Sequence, residues 1–171
     1  LDFLDKLVAA GVTAFKIEGR MKSPYYVATV TGAYRRRIDA LADEPAAPET
    51  LAALQRELNA VSHRAYSSGF YFGDMKKHVP DGGAYLQDCR FVGTVLERLP
   101  GGRVRVELRN RVAEGDAIEV VSPHCLGLAF TAAAMTDDAG RPVSLAAVPR
   151  KLYDLDAPEA VQPGDMLRVR L

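Results

Sequence analysis

The densest run of chemistry-bearing side chains lies between Phe15 and Tyr26, where Lys16, Glu18, Arg20 and Lys22 alternate with Ile17, Gly19 and Met21. A spacing of two puts Lys16 and Glu18 on one face of an extended segment and Phe15 and Ile17 on the other. Ser23-Pro24 then reads as a helix start, with Ser23 as N-cap and Pro24 at the first helical position. Charged groups at the carboxyl end of a strand and just before a helix N-terminus stand where α/β folds hold ligands. The N–H groups and positive dipole end of that helix add an anion cradle. Lys16, Glu18, Arg20, Lys22 and Tyr26 are therefore candidates for substrate or anion binding. The competing reading is an ion pair, Lys16–Glu18 or Glu18–Arg20, that only braces the turn.

A second cluster runs from Val61 to Gly73 and contains His63, Arg64, Ser67, Ser68 and the aromatics Tyr66, Phe70, Tyr71 and Phe72. Histidine is the side chain suited to proton transfer near neutral pH, which makes His63 a candidate general base, with Ser67 or Ser68 as its nucleophile and no third orienting group apparent. The same aromatics with Arg64 suit the stacking of a base or sugar. A third reading has the segment cap the preceding helix and pack its rings between two domains. His124 and Cys125 are neighbours in sequence and point apart on an extended chain, and His78 beside Lys76 and Lys77 reads as a basic, solvated linker. The chain contains no H-E-x-x-H, G-x-S-x-G, C-x-x-C or phosphate loop, so the familiar hydrolase and metalloenzyme motifs are missing.

The elements that must position these groups follow from periodicity. Leu1, Phe3, Leu4, Leu7 and Val8 follow a helical period ended by Gly11, and Val12 to Glu18 reads as a short strand closed by Gly19. The helix from Pro24 extends to about Ala42. A linker follows at Asp43 to Pro48, and a further helix runs from Glu49 to Val61. Pro80-Asp81-Gly82-Gly83 is an emphatic breaker. Beyond it come β runs at Arg90–Arg98, Arg103–Arg109, Ala117–Val121, Leu126–Met135 and Met166–Leu171, with turns at Pro100-Gly101-Gly102 and Asp137-Asp138-Ala139-Gly140. The expected architecture is α+β. Residues 1–84 read as the C-terminal remnant of an α/β (TIM-like) barrel, with a helix, one strand and two helices, and 85–171 as a small antiparallel β-barrel. A lone barrel strand has two unpaired edges, so it is expected to pair with a second copy of the chain or to stay short and covered.

The motif V-x-x-G-D-x-(apolar)-x-V occurs at Val112–Val120 and again at Val161–Val169, and is expected to make two similar barrel corners. The 171 residues carry 22 Lys+Arg against 22 Asp+Glu, which removes bulk attraction to nucleic acid or membranes. Locally, six basic residues face one acidic between Lys16 and Arg37, and six face two between Arg90 and Arg111. Cys89 and Cys125 are too few for a zinc ribbon or an iron–sulfur ligand set, which points to a reducing cytoplasm. Val120–Thr136 is broken by polar residues and glycines, so no membrane span is expected. Asp2, Asp5 and Lys6 interrupt any signal peptide. Because the first residues already follow a helical period, the chain is expected to be the later piece of a longer protein.

Phe15-Lys16-Ile17-Glu18-Gly19-Arg20-Met21-Lys22-Ser23 with Tyr25-Tyr26-Val27-Ala28-Thr29-Val30, then Val61-Ser62-His63-Arg64 and Gly69-Phe70-Tyr71, resemble the collagenase-like peptidase family, U32 in the peptidase classification. Phe91-Val92-Gly93, Val106 to Arg111 and Gly115-Asp116 resemble that family's C-terminal domain. The resemblance implies a C-terminal fragment of a collagenase-like peptidase, inactive alone and contributing substrate or anion binding through Lys16, Glu18, Arg20, Lys22, Tyr26, His63 and Arg64. Its partner would then be a protein or peptide. Other family members imply a tRNA or rRNA hydroxylation protein with the β-barrel aiding RNA binding. A third alternative is a protein-interaction module. The resemblance implies no cofactor in this chain and an iron–sulfur cluster upstream of it.

Overall fold

The turn at Gly11 shows how local chemistry sets the first element. Helix α1, Leu4–Ala9, ends with Gly11 at φ +86°, a conformation that costs glycine little. Gly11 N–H then donates to the Val8 carbonyl (2.9 Å) and Val12 N–H to that of Leu7 (3.1 Å), the two bonds of a Schellman cap. Helix α2 spans Pro24–Asp43 and opens as expected, with Ser23 Oγ accepting the Tyr26 N–H at 3.3 Å. Helix α3 spans Pro48–Asn59 and buries Leu54 and Leu58. The computed structural model describes residues 1–43, 48–73 and 84–171. The linker at 44–47, the basic run around His78 and the breaker at 80–83 lie outside the described residues. The chain divides into two units, Leu1–Asp88 and Cys89–Leu171.

Residues 12–19 form no strand, which corrects the expected barrel strand at Val12–Glu18. No ladder partner lies beside the segment among the described residues. A strand without inter-strand hydrogen bonds gains nothing over coil in water. The α/β-barrel reading of this half thus lacks the strand on which it turned.

The second unit is an antiparallel sheet. Its strands are β1 Cys89–Leu99, β2 Arg103–Leu108, β3 Val112–Ala113, β4 Ala117–Val121, β5 Ala129–Thr131, β6 Thr136–Asp137, β7 Leu145–Ala146, β8 Leu152–Asp156 and β9 Met166–Arg170. Seven pair in the order β5-β4-β9-β1-β2-β8-β6, while β3 and β7 pair separately. The long sheet curls without closing, so it is a half-barrel in place of the expected closed barrel. Register shifts in β1 between Phe91 and Gly93 and between Val95 and Glu97 supply the bend. Inward residues alternate as the sequence predicts, with Val104, Val106 and Leu108 buried beside Val95, Ile118, Tyr153 and Leu167.

The repeated motif makes two equivalent corners. Gly115 and Gly164 stand at φ +91° and +93°. In each, the following aspartate bonds back to the residue three before it: Asp116 Oδ2 accepts from Ala113 N (2.9 Å) and Asp165 Oδ2 from Gln162 N (2.8 Å). The Leu126–Met135 run contracts to Ala129–Thr131. Strand β8 was not anticipated, since aspartate is poor in strands. Here Asp154 and Asp156 stand opposite Arg105 and Arg103 in the ladder. Among the described residues, no helix is long and apolar enough to cross a membrane.

Candidate functional site

The site candidates gather around a hydrogen-bonded turn and the start of α2. Lys22 N–H closes the turn on the Gly19 carbonyl (2.9 Å), and Glu18 Oε1 accepts the Arg20 N–H at 2.8 Å. Glu18 therefore braces the turn through backbone, and neither expected ion pair, Lys16–Glu18 or Glu18–Arg20, forms. The helix start is tied to the end of α3 twice. Tyr25 hydroxyl donates to the Ala60 carbonyl (3.3 Å), and Lys22 Nζ donates to that of Ser62 (2.7 Å). One residue on, His63 and Leu86 exchange backbone hydrogen bonds at 3.0 and 2.8 Å, which brings Tyr85 alongside.

The result is a cation–aromatic ladder. Lys22 Nζ lies 5.2 Å from the centre of the Tyr26 ring and 4.7 Å from that of Tyr85, and the Arg64 guanidinium lies 5.6 Å from the same Tyr85 ring. Such contacts hold a cation in place at about 0.5–1 kcal/mol each on exposed surface and leave its charge uncancelled. Lys16, Arg20, Lys22 and Arg64 have no carboxylate partner among the described residues. Four positive charges thus stay available, two of them, Lys22 and Arg64, held over tyrosine rings.

Tyr66 stacks on His63, with ring centroids 4.3 Å apart and planes at 11°, and its hydroxyl donates to the Leu58 carbonyl at 2.8 Å. Burial pushes the Tyr66 phenol well above the ordinary tyrosine range, with the neighbouring Tyr26 and Tyr34 adding to the shift, so it remains a donor at neutral pH. His63 Nδ1 lies 2.7 Å from the Arg64 carbonyl. A carbonyl only accepts, so Nδ1 carries a proton. Ser67 Oγ accepts the Gly69 N–H at 3.3 Å and serves its own turn. These bonds do not make a nucleophile–base pair. An adjoining groove of about 1010 Å³ is lined by Phe15, Lys16, Glu18, Tyr26, Tyr34 and Tyr66 among others. The structure therefore brings Lys22, Tyr26, His63 and Arg64 together and places Lys16 and Glu18 on the groove and Arg20 on the turn. Tyr85 went unnoticed in the sequence, because a single tyrosine past a glycine pair carries no periodic signal.

In the second basic patch three of the six arginines are paired with carboxylates. Arg105 makes a two-pronged bond to Asp154 (2.8 and 2.9 Å) and a third bond to Glu97 at 2.9 Å. The hydrogen bond from Arg105 to Asp154 holds the guanidinium further into the charged range. Arg103 lies 3.5 Å from Asp156, and Arg109 lies 2.7 Å from Glu107. Arg98 donates to the Pro158 and Val161 carbonyls. Arg103, Arg105 and Arg109 thus each lie against a carboxylate. Cys89 is buried and Cys125 half-buried. Two thiols do not fit an iron–sulfur cluster, which takes four ligands.

Residues 1–80 match the family described as Peptidase family U32, and residues 87–168 match the Peptidase family U32 C-terminal domain. The chain belongs to peptidase family U32. The tRNA hydroxylation protein P1 of Bacillus subtilis is 28% identical over 171 residues, which cover 98% of this chain and 40% of that protein. The tRNA hydroxylation protein P of Escherichia coli is 31% identical over 127 residues, 70% of this chain and 26% of that protein. A collagenase of Porphyromonas gingivalis is 36% identical over 73 residues, 43% of this chain and 20% of that protein. Among solved structures, the C-terminal domain of a Geobacillus thermoleovorans protein assigned to the U32 peptidases matches at 25% identity and a TM-score of 0.43, covering 46% of this chain and 98% of that one. This U32 chain thus spans less than half the length of the curated relatives it matches.

Proposed function

We propose that this U32 chain is the RNA-contacting part of a tRNA hydroxylation protein, and that Leu1–Asp88 makes the contact. The observation that carries this reading is the ladder, in which Lys22 and Arg64 are fixed over Tyr26 and Tyr85 with their charges unspent. Single-stranded RNA is held by such pairings of phosphate-seeking cations with rings on which bases stack. The relative matching nearly the whole chain is named for tRNA hydroxylation, which supports the same reading. Work on tRNA implies the cytoplasm, where tRNA resides. In the half-barrel Arg103, Arg105 and Arg109 have carboxylate partners, and that paired surface also suits contact with a protein. Among the described residues no nucleophile, base and charge-stabilising group stand within mutual reach, so the chemistry of hydroxylation falls to the rest of the protein.

The test is a hybrid in which this chain replaces the matching part of the Bacillus subtilis relative, in cells lacking that relative. Restored hydroxylated nucleosides in tRNA, read by mass spectrometry and lost on Lys22→Ala/Arg64→Ala substitution, are expected. Gelatin degradation by the hybrid without any tRNA modification would favour the collagenase-like reading instead.

A further inference from the structure

We infer that the Gly19–Lys22 turn presents Met21 as an apolar wedge that seats beside an unstacked base of a single-stranded RNA loop, an inference that rests on the RNA reading above. Met21 is 93% exposed, more than any other large hydrophobic residue among those described. Turn tips ordinarily carry glycine, asparagine, aspartate or serine, whose backbone preferences or short polar side chains make the turn. A methionine contributes nothing of that kind.

Hydrogen bonds and packing hold the turn that carries it. The turn is closed by the Lys22–Gly19 hydrogen bond and braced by Glu18 on the Arg20 N–H. A Cβ on Gly19 would lie 3.4 Å from the Tyr26 ring, so the base of the turn sits directly on α2. Lys22, the next residue, is pinned by the Ser62 carbonyl and two tyrosine rings. Arg20 and Lys22 thus flank the thioether with two cations able to take the phosphates on either side of a splayed nucleotide. Apolar side chains of this sort, methionine included, are used elsewhere to part stacked bases. The long, polarizable thioether adapts to whichever ring face it meets. Loop nucleotides are the cheapest to part because they are least stacked.

The experiment uses the whole 171-residue chain and a tRNA transcript carrying 2-aminopurine at successive anticodon-loop positions. At one of those positions, binding of the wild-type chain is expected to raise the fluorescence about twofold or more as the base leaves its stack. Met21→Ala should abolish that rise. It should change Kd by no more than about threefold, since the packing of a wedge against the parted bases largely offsets the unstacking cost. Met21→Leu should keep the rise. An exposed side chain of this kind can be removed without unfolding, and equal thermal midpoints for the three chains check that. If tRNA binds but Met21→Ala shows the same rise as wild type, or wild type shows none, the wedge is overturned and the RNA reading stands. If wild type does not bind tRNA at low salt, both are overturned.

Discussion

Gly93→Ala is expected to destabilise the Cys89–Leu171 unit by about 3 kcal/mol or more, enough to shift or erase its unfolding transition. Gly93 lies in central strand β1, opposite Leu108 on one side and Leu167 on the other. A Cβ built there would lie 2.4 Å from the Glu107 carbonyl oxygen and 2.8 Å from Val106 Cγ1. The first contact is with backbone, which cannot rotate away, so β1 and β2 must separate and give up ladder bonds along with the packing of Val104, Val106 and Leu108. Gly19→Ala is the control, because its Cβ would make only ordinary contacts at 3.4–3.6 Å with Tyr26 and Val27. Hydrogen exchange read by mass spectrometry should show lost protection across β1, β2 and β9 for Gly93→Ala and little change for Gly19→Ala. Equal protection in the two variants would show that the sheet does not depend on this close approach.

Glu119→Gln is expected to cost about 3 kcal/mol at neutral pH, the range for removing one partner from a buried charge pair. Glu119 accepts from Arg168 Nε (2.8 Å) and from Arg170 Nε and Nη2 (2.8 and 3.1 Å), and the Arg168 side chain is only 3% exposed. An amide keeps the shape and removes the charge that a buried guanidinium needs. The pH dependence follows from the same group. Burial alone would raise the Glu119 pKa, but the hydrogen bond from Arg170 and the charge of Arg168 outweigh it and hold the carboxyl below its ordinary value. A depressed folded-state pKa contributes stability above the unfolded carboxylate value of about 4.3, lost as pH falls through the folded value. The difference in urea midpoint between wild type and Glu119→Gln should therefore be full at neutral pH and shrink in acid. A difference that persists unchanged to strongly acidic pH would mean the glutamate acts through packing alone.

The two arginine patches explain what was legible in the sequence and what was not. Helix α2 could be read because Ser23 and Pro24 are local signals, and the corners at Gly115 and Gly164 could be read because the motif repeats. Lys16, Glu18, Arg20 and Lys22 stood out as a cluster because they are neighbours in the chain. The character of the second patch could not be read, because charge balance counted along a window ignores partners across a sheet. Arg105 meets Asp154, and Arg168 meets Glu119, across 49 residues in each case. Strand β8 escaped for the same reason, its aspartates being acceptable only opposite those arginines. The strand expected at Val12–Glu18 failed in the reverse sense. Its alternation is real, but alternation specifies a face and supplies no ladder partner.

The central claim is that RNA is held by the unspent cations of Leu1–Asp88 and not by the arginines of the half-barrel, and the salt dependence of tRNA binding tests it most directly. Each phosphate contact to a single strand contributes about 0.7 to the slope of log affinity against log salt. The Lys16→Ala/Arg20→Ala/Lys22→Ala/Arg64→Ala chain should bind more weakly than wild type, with a slope shallower by about 2 to 3. Arg109→Ala/Arg111→Ala, which removes exposed half-barrel arginines, should leave the slope unchanged. The reverse pattern, an unaltered slope for the quadruple variant and a shallower one for Arg109→Ala/Arg111→Ala, would contradict the account.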